Sequence, residues 1–440
     1  MLTSSSYRVP RAPEASEGMA WLRGAVARFC EGSDHARRRA AAEAQLAEVD
    51  PVRLRTGHGD PTERLAEALG LPRAVAPDVA VAADCYQPHL ETNPMADRAV
   101  ERLVVACGGW HDEQTATRIG LLVQAHAAVA ALVAGTNPPV PVTRRVTPTG
   151  KTCLVDLTGV AFGAGAHGCP GRSAALALAA SQLPFHRLHQ RHAPLILPNV
   201  WDYASAAVLV QAGFQAIGTT SLGVAAANGL PDAAAATLRE TLYLASRLVR
   251  LPVPVTVDIE AGLGADPQEL AAELFGLGVA GVNIEDGRGD QLADPVEQSA
   301  LLRLFKDAAP ALFVNARIDT YWLRRELSST VSRAQRYADA GADGIFVPGL
   351  TADRDIAELV SATHLPVNVL AQPDAHRLAH LGVRRISTGS LLFRAALSSA
   401  VAVARAVRDG NAVPPTMSYQ EVEALVEQPH GCRDNGAASE

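Results

Sequence analysis

The chain has 440 residues, of which 48% are hydrophobic and 19% are charged. This balance is typical of a globular protein of about two to four domains and excludes a disordered or fibrous one. The net charge is −7, from 39 basic and 46 acidic residues. Because no block of five like charges occurs, the sequence predicts no nucleic-acid or anionic-membrane surface, and we expect a small-molecule partner.

Targeting signals and reactive side chains narrow the class of protein further. Only Lys151 and Lys306 supply an amine, so Schiff-base catalysis is nearly excluded. The first twenty residues lack the apolar run of a signal peptide, and no stretch of eighteen apolar residues occurs, which predicts a cytoplasmic protein without a membrane partner. The six cysteines are too widely spaced for a disulfide framework or a Cys-x-x-Cys metal site.

The first part of the chain is mostly helical in pattern. Apolar residues recur at helical spacing over 99–110 and 117–135, and a proline-rich stretch at 137–146 reads as an extended connection. The polar composition of both ends indicates disordered tails. The predicted division is a tail over 1–19, a helical fragment with a cysteine loop over 20–185, a second domain over 186–425, and a tail over 426–440.

One cysteine, Cys169, lies in an informative segment, FGAGAHGCPGRSAALALAA (162–180). Its glycines allow the loop to pass close to a flat ligand, and the helix after Pro170 directs its positive end towards the sulfur. A thiolate placed in this way can ligate iron. The alternative is a loop that packs against the rest of the protein with a buried, inert thiol.

The cysteine segment resembles the haem-binding loop of cytochromes P450, matched at Phe162, Gly165, His167, Cys169 and Gly171. Weaker similarity extends over residues 20–182. The resemblance implies haem as a cofactor, with Cys169 as its ligand. The segment is too short for a complete P450 and lacks a Glu-x-x-Arg pair, so a shortened relative is expected.

From residue 195 the chain alternates short β-rich runs with Ala/Leu-rich helical stretches. Eight such units predict an α/β fold, a parallel (β/α)8 TIM barrel with its active site at the C-terminal ends of the strands. A doubly wound open sheet is the alternative, although no Gly-x-Gly-x-x-Gly follows the first run. The predicted strands are 195–200, 216–221, 254–261, 280–286, 312–319, 344–349, 366–371 and 384–389.

Acidic residues follow several of these strands. Asp258 and Glu260 end the third strand and share one face by the two-residue period, and Glu285 ends the fourth. Several carboxylates at one barrel mouth suit Mg²⁺, and Arg317 offers a planar fork for a substrate carboxylate. Helix capping is the alternative for strand-end acids, and we favour it for Asp286, Asp294 and Asp319.

Five motifs over 195–410 resemble the isocitrate lyase and phosphoenolpyruvate mutase family. They are NVWDYASAAVLVQAGFQAIGTTSLGVAAANGLPD (199–232), VDIEAGLG (257–264), GVNIEDG (281–287), VNARIDTY (314–321) and YADAGADGIFVPG (337–349). The resemblance implies a Mg²⁺-dependent barrel, with Mn²⁺ as an alternative metal, that makes or breaks a C–C or P–C bond of a small 2-oxo acid through an enolate. We also expect a homo-oligomer.

The resemblance also assigns site residues. Asp258 touches the metal, and Asp232, Glu260 and Glu285 hold its waters. The turn Thr220, Ser221, Leu222 and Gly223 offers backbone N–H groups to the substrate, with Asn315 and Arg317 as further substrate-binding side chains. The predicted catalytic residues are Arg317, Glu285 and Ser221.

The sequence departs from that family just after the fourth strand. Members that cleave isocitrate-like substrates carry Lys-Lys-Cys-Gly-His there, whereas this chain has GRGDQLAD (287–294), with no Cys, Lys or His. Arg288 is a candidate substitute for the missing acid/base, and a solvated loop arginine is the alternative. The leading hypothesis is therefore a Mg²⁺-dependent lyase, and the others are a haem-binding protein or haem-thiolate oxidative enzyme whose barrel is a scaffold.

Overall fold

A computed structural model describes residues 2–426, apart from residues 5, 13–14, 51–52, 55–58, 88, 135, 137 and 159. Nearly all of the predicted C-terminal tail lies outside the described residues. The chain forms two compact units, Met1–Arg187 with Asp307–Ala311, and Leu188–Lys306 with Leu312–Glu440. The change from one unit to the other lies two residues from the predicted boundary at 185/186.

The N-terminal unit is helical with one small antiparallel hairpin. Its α-helices are Gly18–Ala25 (α1), Gly32–Ala47 (α2), Pro61–Ala68 (α3), Ala76–Asp84 (α4), Pro94–Ala106 (α5), Glu113–Val133 (α6) and Arg172–Ala180 (α7), and Pro184–Leu188 (α8) crosses the division between the units. The hairpin strands are Val142–Val146 (β1) and Thr152–Asp156 (β2). Short 3-10 turns occupy Ala27–Phe29, Arg73–Val75 and Gly165–His167.

Helix α6 is the central element of this unit. It is long and apolar enough to cross a membrane by length and composition, but half of that stretch is buried inside the protein. Ile119 and Leu122 belong to a continuous apolar core with Met19, Leu22 and Leu103 of neighbouring helices. These features are those of a core helix, whose apolar residues are covered by other helices of its own unit.

The segment over 1–19 has more structure than a disordered tail. Arg8 pairs with Val146 of β1 through backbone hydrogen bonds of 3.0 and 2.7 Å, and the Val9 N–H donates to Glu31 at 2.6 Å. Val9 is buried. Residues 8 and 9 therefore extend the small sheet, and composition alone does not reveal such a pairing because it depends on a partner more than 130 residues away.

The C-terminal unit contains all eight predicted β-runs. Its strands are Leu195–Leu197 (β3), Asn199–Val200 (β4), Ile217–Thr219 (β5), Val255–Asp258 (β6), Gly281–Glu285 (β7), Gly287–Arg288 (β8), Gln291–Leu292 (β9), Phe313–Arg317 (β10), Gly344–Phe346 (β11), Val367–Leu370 (β12) and Arg385–Ser387 (β13). Its helices are Tyr203–Gln211 (α9), Ser221–Ala227 (α10), Leu238–Leu248 (α11), Pro267–Leu277 (α12), Pro295–Ala308 (α13), Thr320–Leu323 (α14), Thr330–Asp339 (α15), Asp353–Ala362 (α16), Ala375–His380 (α17), Leu391–Arg408 (α18) and Tyr419–Ala424 (α19), with a 3-10 turn at Leu327–Ser329. The last two residues of α13 belong to the N-terminal unit.

The parallel strands close into a barrel. Their order is β3-β13-β12-β11-β10-β7-β6-β5-β4, and β3 and β4 are two pieces of one strand separated by Pro198. The first strand therefore pairs with the last through β3 and with the second through β4, as a (β/α)8 barrel requires and an open sheet does not. The Asn199 side chain joins the two sides, donating to the Thr219 carbonyl at 2.7 Å and accepting from the Gly389 N–H at 2.9 Å.

Helix α18 follows the last strand and is mostly exposed. Only Phe393 is buried, while Leu397, Val401 and Val407 are each about half exposed or more. Isolated apolar side chains are common on protein surfaces, but several exposed apolar residues on one long, nearly unburied helix are typical of a subunit contact. These exposed residues support the prediction of a homo-oligomer, which stays a prediction.

Candidate active site

The barrel mouth is organised around Arg317 at the end of β10. Its Nη1 lies 2.7 Å from a Glu285 oxygen and its Nε lies 2.8 Å from an Asp319 oxygen. Strands β7 and β10 pair with Glu285 opposite Arg317, so the sheet register itself brings the first pair together. Burial opposes the charge of the guanidinium, but the carboxylates of Asp319, Glu285 and Asp258 raise the pKa of Arg317 above its usual value.

Glu285 and Asp258 are acids in a dry environment. Burial raises the pKa of Glu285 to about 8, although the Arg317 guanidinium opposes the shift. Burial likewise raises the pKa of Asp258, with Arg317 again opposing and Asp232 adding to it. The Asp258 N–H donates to the Thr219 hydroxyl at 2.8 Å, which fixes the ends of β5 and β6. Carboxylates with raised pKa values in one cleft are typical of a functional site.

Glu260 adopts a backbone conformation that its residue type rarely takes. Its φ is 48°, in the left-handed region, and one carboxylate oxygen accepts the Ala235 N–H at 2.8 Å. The other oxygen, Oε1, is buried without a hydrogen-bond partner in the structure. Asp232, on the exposed loop that Glu260 holds, lies near enough to raise the Glu260 pKa, although burial is the larger cause. A strained, unsatisfied carboxylate at a strand end is a marker of function.

This donor set fits a hydrated Mg²⁺ better than a protein-only cage. Among the described residues, no three His, Cys, Asp or Glu side chains are close enough to hold a metal directly. Mg²⁺ keeps several waters and takes only one or two carboxylates, so Asp258 as the direct ligand with Glu260, Glu285 and Asp232 around the waters agrees with the chemistry. The unpartnered Glu260 oxygen calls for a nearby cation or water.

The predicted substrate turn begins a helix. Thr220 precedes α10, so Ser221, Leu222 and Gly223 form its first turn, where backbone N–H groups lack intrahelical partners. A Cβ at Gly223 would lie 2.6 Å from the Thr220 side chain, so glycine is required there. The turn can therefore present N–H groups to an anion, as the sequence predicts, while a catalytic role for Ser221 stays a prediction.

Asn315 lies deeper than a mouth residue. It is fully buried inside the barrel, where its amide donates to Asn283 at 2.9 Å. Arg385 reaches the same Asn283 oxygen at 3.2 Å from the opposite side of the barrel, and burial lowers the Arg385 pKa to about 9. Asn315 thus belongs to a buried polar layer beneath the acids, and this position does not support direct contact with substrate.

The three acids expected to cap helices behave differently. Asp294 accepts the N–H groups of Val296 and Glu297 at the start of α13, as a cap does. Asp319 precedes α14 but makes no side-chain cap and instead pairs with Arg317. Asp286 is buried against Arg333 at 3.1 Å and Tyr337 at 2.8 Å. The pairing of Arg317 with Asp319 could have been predicted from their spacing, because residues two apart in an extended segment point to the same side.

The segment after β7 forms a tight hairpin. Strands β8 and β9 pair with each other in an antiparallel hairpin, and the turn that connects them contains Gly289, whose φ is 63°. Arg288 bends back, donating to the Glu285 carbonyl at 2.9 Å and to Gln298 at 2.9 Å. Arg288 is exposed, as a solvated arginine would be, and its guanidinium is engaged by backbone and side-chain acceptors, so a role as a substitute acid/base stays a prediction.

Cys169 lines a separate cavity of about 620 Å³ in the N-terminal unit. Its N–H donates to the Phe162 carbonyl at 2.8 Å, and Gly163 and Gly165 both have positive φ, so the cysteine loop has the compact course that its glycines predict. Cys169 is an exposed residue of the cavity lining. Both the iron ligand and the inert thiol therefore stay predictions.

The cavity wall carries several cations. Its lining includes Arg28, Arg38, Arg39, Arg144 and Arg145 together with His35 and His167. Burial raises the pKa of the Cys169 thiol, while a hydrogen bond from the Gly171 N–H and the nearby arginines oppose the shift. Burial lowers the pKa of His167 to about 4, with His35 at a ring distance of 4.0 Å adding to it. This wall favours an anionic ligand.

Comparison with known proteins places the C-terminal unit in a family. A model described as phosphoenolpyruvate phosphomutase matches residues 185–408. The chain is 44% identical over 246 residues to an uncharacterized protein of Mycobacterium tuberculosis, covering 55% of this chain and 95% of the relative. It is 32% identical over 199 residues to a 2-methylisocitrate lyase of Bacillus subtilis, covering 42% of this chain and 65% of that enzyme.

Solved structures agree with the barrel. A Burkholderia cenocepacia protein described as a lyase/mutase is 32% identical, with a TM-score of 0.51, over 56% of this chain and 95% of that one. The family match leaves residues 1–184 outside it, so the resemblance of 20–182 to cytochrome P450 stays a prediction. Matched relatives include proteins named 2-methylisocitrate lyase, phosphoenolpyruvate phosphomutase and oxaloacetate decarboxylase. The chain belongs, through its barrel, to the phosphoenolpyruvate mutase and isocitrate lyase family.

Proposed function

We propose that the barrel is a Mg²⁺-dependent lyase that cleaves a C–C bond of a small 2-oxo acid and leaves an enolate. The observation that carries this proposal is the pairing of Arg317 with Glu285 and Asp319 beside Asp258, at the carboxyl ends of neighbouring strands. Magnesium is implied by the family, and the acids fit its hydrated form. When bound, the metal supplies Lewis-acid stabilisation of negative charge on the substrate oxygens.

The chain's own residues account for binding and charge placement. The first-turn N–H groups of Ser221, Leu222 and Gly223 point a partial positive charge at a substrate carboxylate. Arg317 supplies a guanidinium for the same purpose, and its own carboxylate partners hold it in one orientation. Such preorganised donors favour the charged enolate over the neutral carbonyl without reorganisation during the reaction.

The hairpin after β7 restricts which reaction can follow. It carries no Cys, Lys or His, and the Arg288 guanidinium is engaged by the Glu285 carbonyl and Gln298. A reaction whose enolate takes its proton from water needs no protein acid at that place. Decarboxylation of a 3-carboxy-2-oxo acid fits: the C3–CO₂ bond breaks, its electrons form the enolate, and water then protonates C3. We therefore propose oxaloacetate, the simplest such acid, as the first substrate to test.

The direct test is pyruvate release from oxaloacetate by the full chain. We expect turnover with Mg²⁺ and its loss after chelation, corrected for the uncatalysed rate at the same Mg²⁺ concentration. Arg317→Met is the test variant, because it removes the guanidinium while keeping an unbranched side chain. We expect it to lose the Mg²⁺-dependent turnover. Equal rates for the wild type and this variant would refute the proposal.

The same hairpin predicts what the enzyme does poorly. Without the family's cysteine, cleavage of isocitrate or methylisocitrate should be about 10²–10⁴-fold slower than a positioned general acid would allow. Glyoxylate or pyruvate formation from these substrates, followed by coupled assay, measures this directly. A rate similar to that with oxaloacetate would show that another residue has taken over proton transfer.

A second candidate function concerns the N-terminal cavity. We propose that it binds haem through Cys169, because the thiol faces a cavity of about 620 Å³ whose wall carries arginines for an acidic ligand. A bound haem would supply one-electron chemistry, and the chain would contribute the sulfur, the Gly171 N–H bond to it and the cationic wall. Support comes from this geometry and the loop resemblance, and the family match does not extend to this unit.

Absorbance tests this second candidate without any activity assay. The full chain supplied with haemin should show a Soret band, and its reduced CO complex should have the red-shifted absorbance of a thiolate ligand. Cys169→Ser should lose the thiolate signature, whereas Cys153→Ser, on the small hairpin, should keep it. A wild type without a Soret band, or an unaltered CO spectrum for Cys169→Ser, would exclude haem-thiolate binding.

A further inference from the structure

An exposed tryptophan lies beside the central arginine of the barrel mouth. Arg317 has its guanidinium carbon 6.0 Å from the ring centre of Trp322 and 6.0 Å from that of Phe346. Phe346 is buried at the end of β11, but 58% of Trp322 is exposed. A large indole surface is therefore available next to the residue that holds the acids in place.

The loop that carries Trp322 is built to hold one shape. Arg324 and Glu326 both have positive φ, 55° and 47°, which non-glycine residues rarely adopt. The strain is held by a Glu326–Arg333 ion pair of 3.0 Å and by a Thr320–Thr330 hydroxyl contact of 2.6 Å. Strain that the surroundings maintain in this way is common where a side chain must be placed accurately.

The loop after β11 supports the same position from below. Gly349 has a φ of 83°, and a Cβ there would lie 3.3 Å from the Tyr321 carbonyl. The two loops thus pack backbone against backbone directly under Trp322. The indole is placed by the fold on two sides, although its own ring remains uncovered.

The chemistry around the mouth is otherwise polar. Glu285, Asp319 and Asp258 lie close enough to Arg317 to act on its charge, and Trp322 is the large apolar group exposed next to it within the described residues. A substrate carboxylate and oxo group need the polar side. An apolar substituent on the same molecule finds its favourable contact on the indole.

We infer that Trp322 is a specificity-determining residue that selects 2-oxo acids with an apolar substituent. This inference rests on the proposed 2-oxo acid site. Each methylene group that the indole covers should tighten binding by about fourfold, the value expected for burial of one such group. The preferred substrates should therefore be longer than the simplest acid.

Calorimetry with Mg²⁺ and a series of pyruvate, 2-oxobutanoate and 2-oxopentanoate tests this. The wild type should bind each successive acid more tightly, Trp322→Ala should lose that gain while still binding pyruvate, and Trp322→Phe should keep part of it. Trp110→Ala is the matched control, because Trp110 is also exposed but lies in the N-terminal unit. It should leave the series unchanged.

Each outcome decides the inference. A wild type that binds pyruvate without any gain along the series overturns it, as does a gain that survives in Trp322→Ala. If no 2-oxo acid binds to the wild type, both the proposed function and this inference fail. The pyruvate measurement therefore distinguishes a failed site from a failed specificity residue.

Discussion

Replacing Asp258 with asparagine should abolish Mg²⁺-dependent turnover while leaving the barrel folded. The side chain keeps its shape but loses the charge that a divalent cation needs, and the metal's stabilisation of the transition state amounts to several kcal/mol. We expect a rate loss of about 10²–10⁴-fold, since each 1.36 kcal/mol is tenfold. Titration calorimetry should show Mg²⁺ binding weakened in parallel.

The matched control is Asp266→Asn on the same strand-end loop. Asp266 caps α12 by accepting the Gln268 and Glu269 N–H groups at 3.0 Å each, and asparagine caps a helix about as well. This variant should bind Mg²⁺ like the wild type. Unaltered Mg²⁺ affinity in Asp258→Asn would mean that the metal ligand is a different residue.

The strands were predictable because parallel barrel strands are buried on both faces. Such strands appear as short runs of β-branched residues, and all eight runs contain a strand of the structure within their predicted bounds. The position of the acids followed from the same rule, since polar side chains appear where the apolar run stops. Asp258, Glu285 and Arg317 lie near one another at the barrel mouth for this reason.

Side-chain direction in loops was not predictable in the same way. The Arg288 guanidinium satisfies the Glu285 carbonyl, which depends on the exact course of a two-residue hairpin turn. Asn315 appeared to be a mouth residue because it lies two residues before Arg317, but one step of two residues moves a side chain a full layer down the barrel. The position of Trp322 beside Arg317 could not be predicted from the sequence, because it depends on the strained loop that contains Trp322.

Lys306 shows how a helix pattern conceals a buried charge. Its position in LLRLFKDA indicates either packing or solvent, and the structure shows it fully buried. The Nζ lies 2.7 Å from an Asp343 oxygen and donates to the Leu312 carbonyl at 2.9 Å. The same Asp343 oxygen accepts the Val314 N–H at 3.0 Å, so the pair ties α13 to the start of β10.

Lys306→Met should destabilise the barrel by about 3–5 kcal/mol, the cost of breaking a buried ion pair and leaving one charge behind. Urea unfolding should show a lower midpoint for the barrel transition. Lys151→Met, at the other lysine of the chain, which is exposed, should leave the midpoint unchanged.

The double variant Lys306→Met with Asp343→Asn separates the two contributions of this pair. It removes the remaining charge while keeping an acceptor for the Val314 N–H, so it should recover a large part of the lost stability. A double variant no more stable than Lys306→Met would show that the lysine acts through packing of its methylene chain and its bond to Leu312. In that case the ion pair itself would contribute little to holding α13 against the barrel.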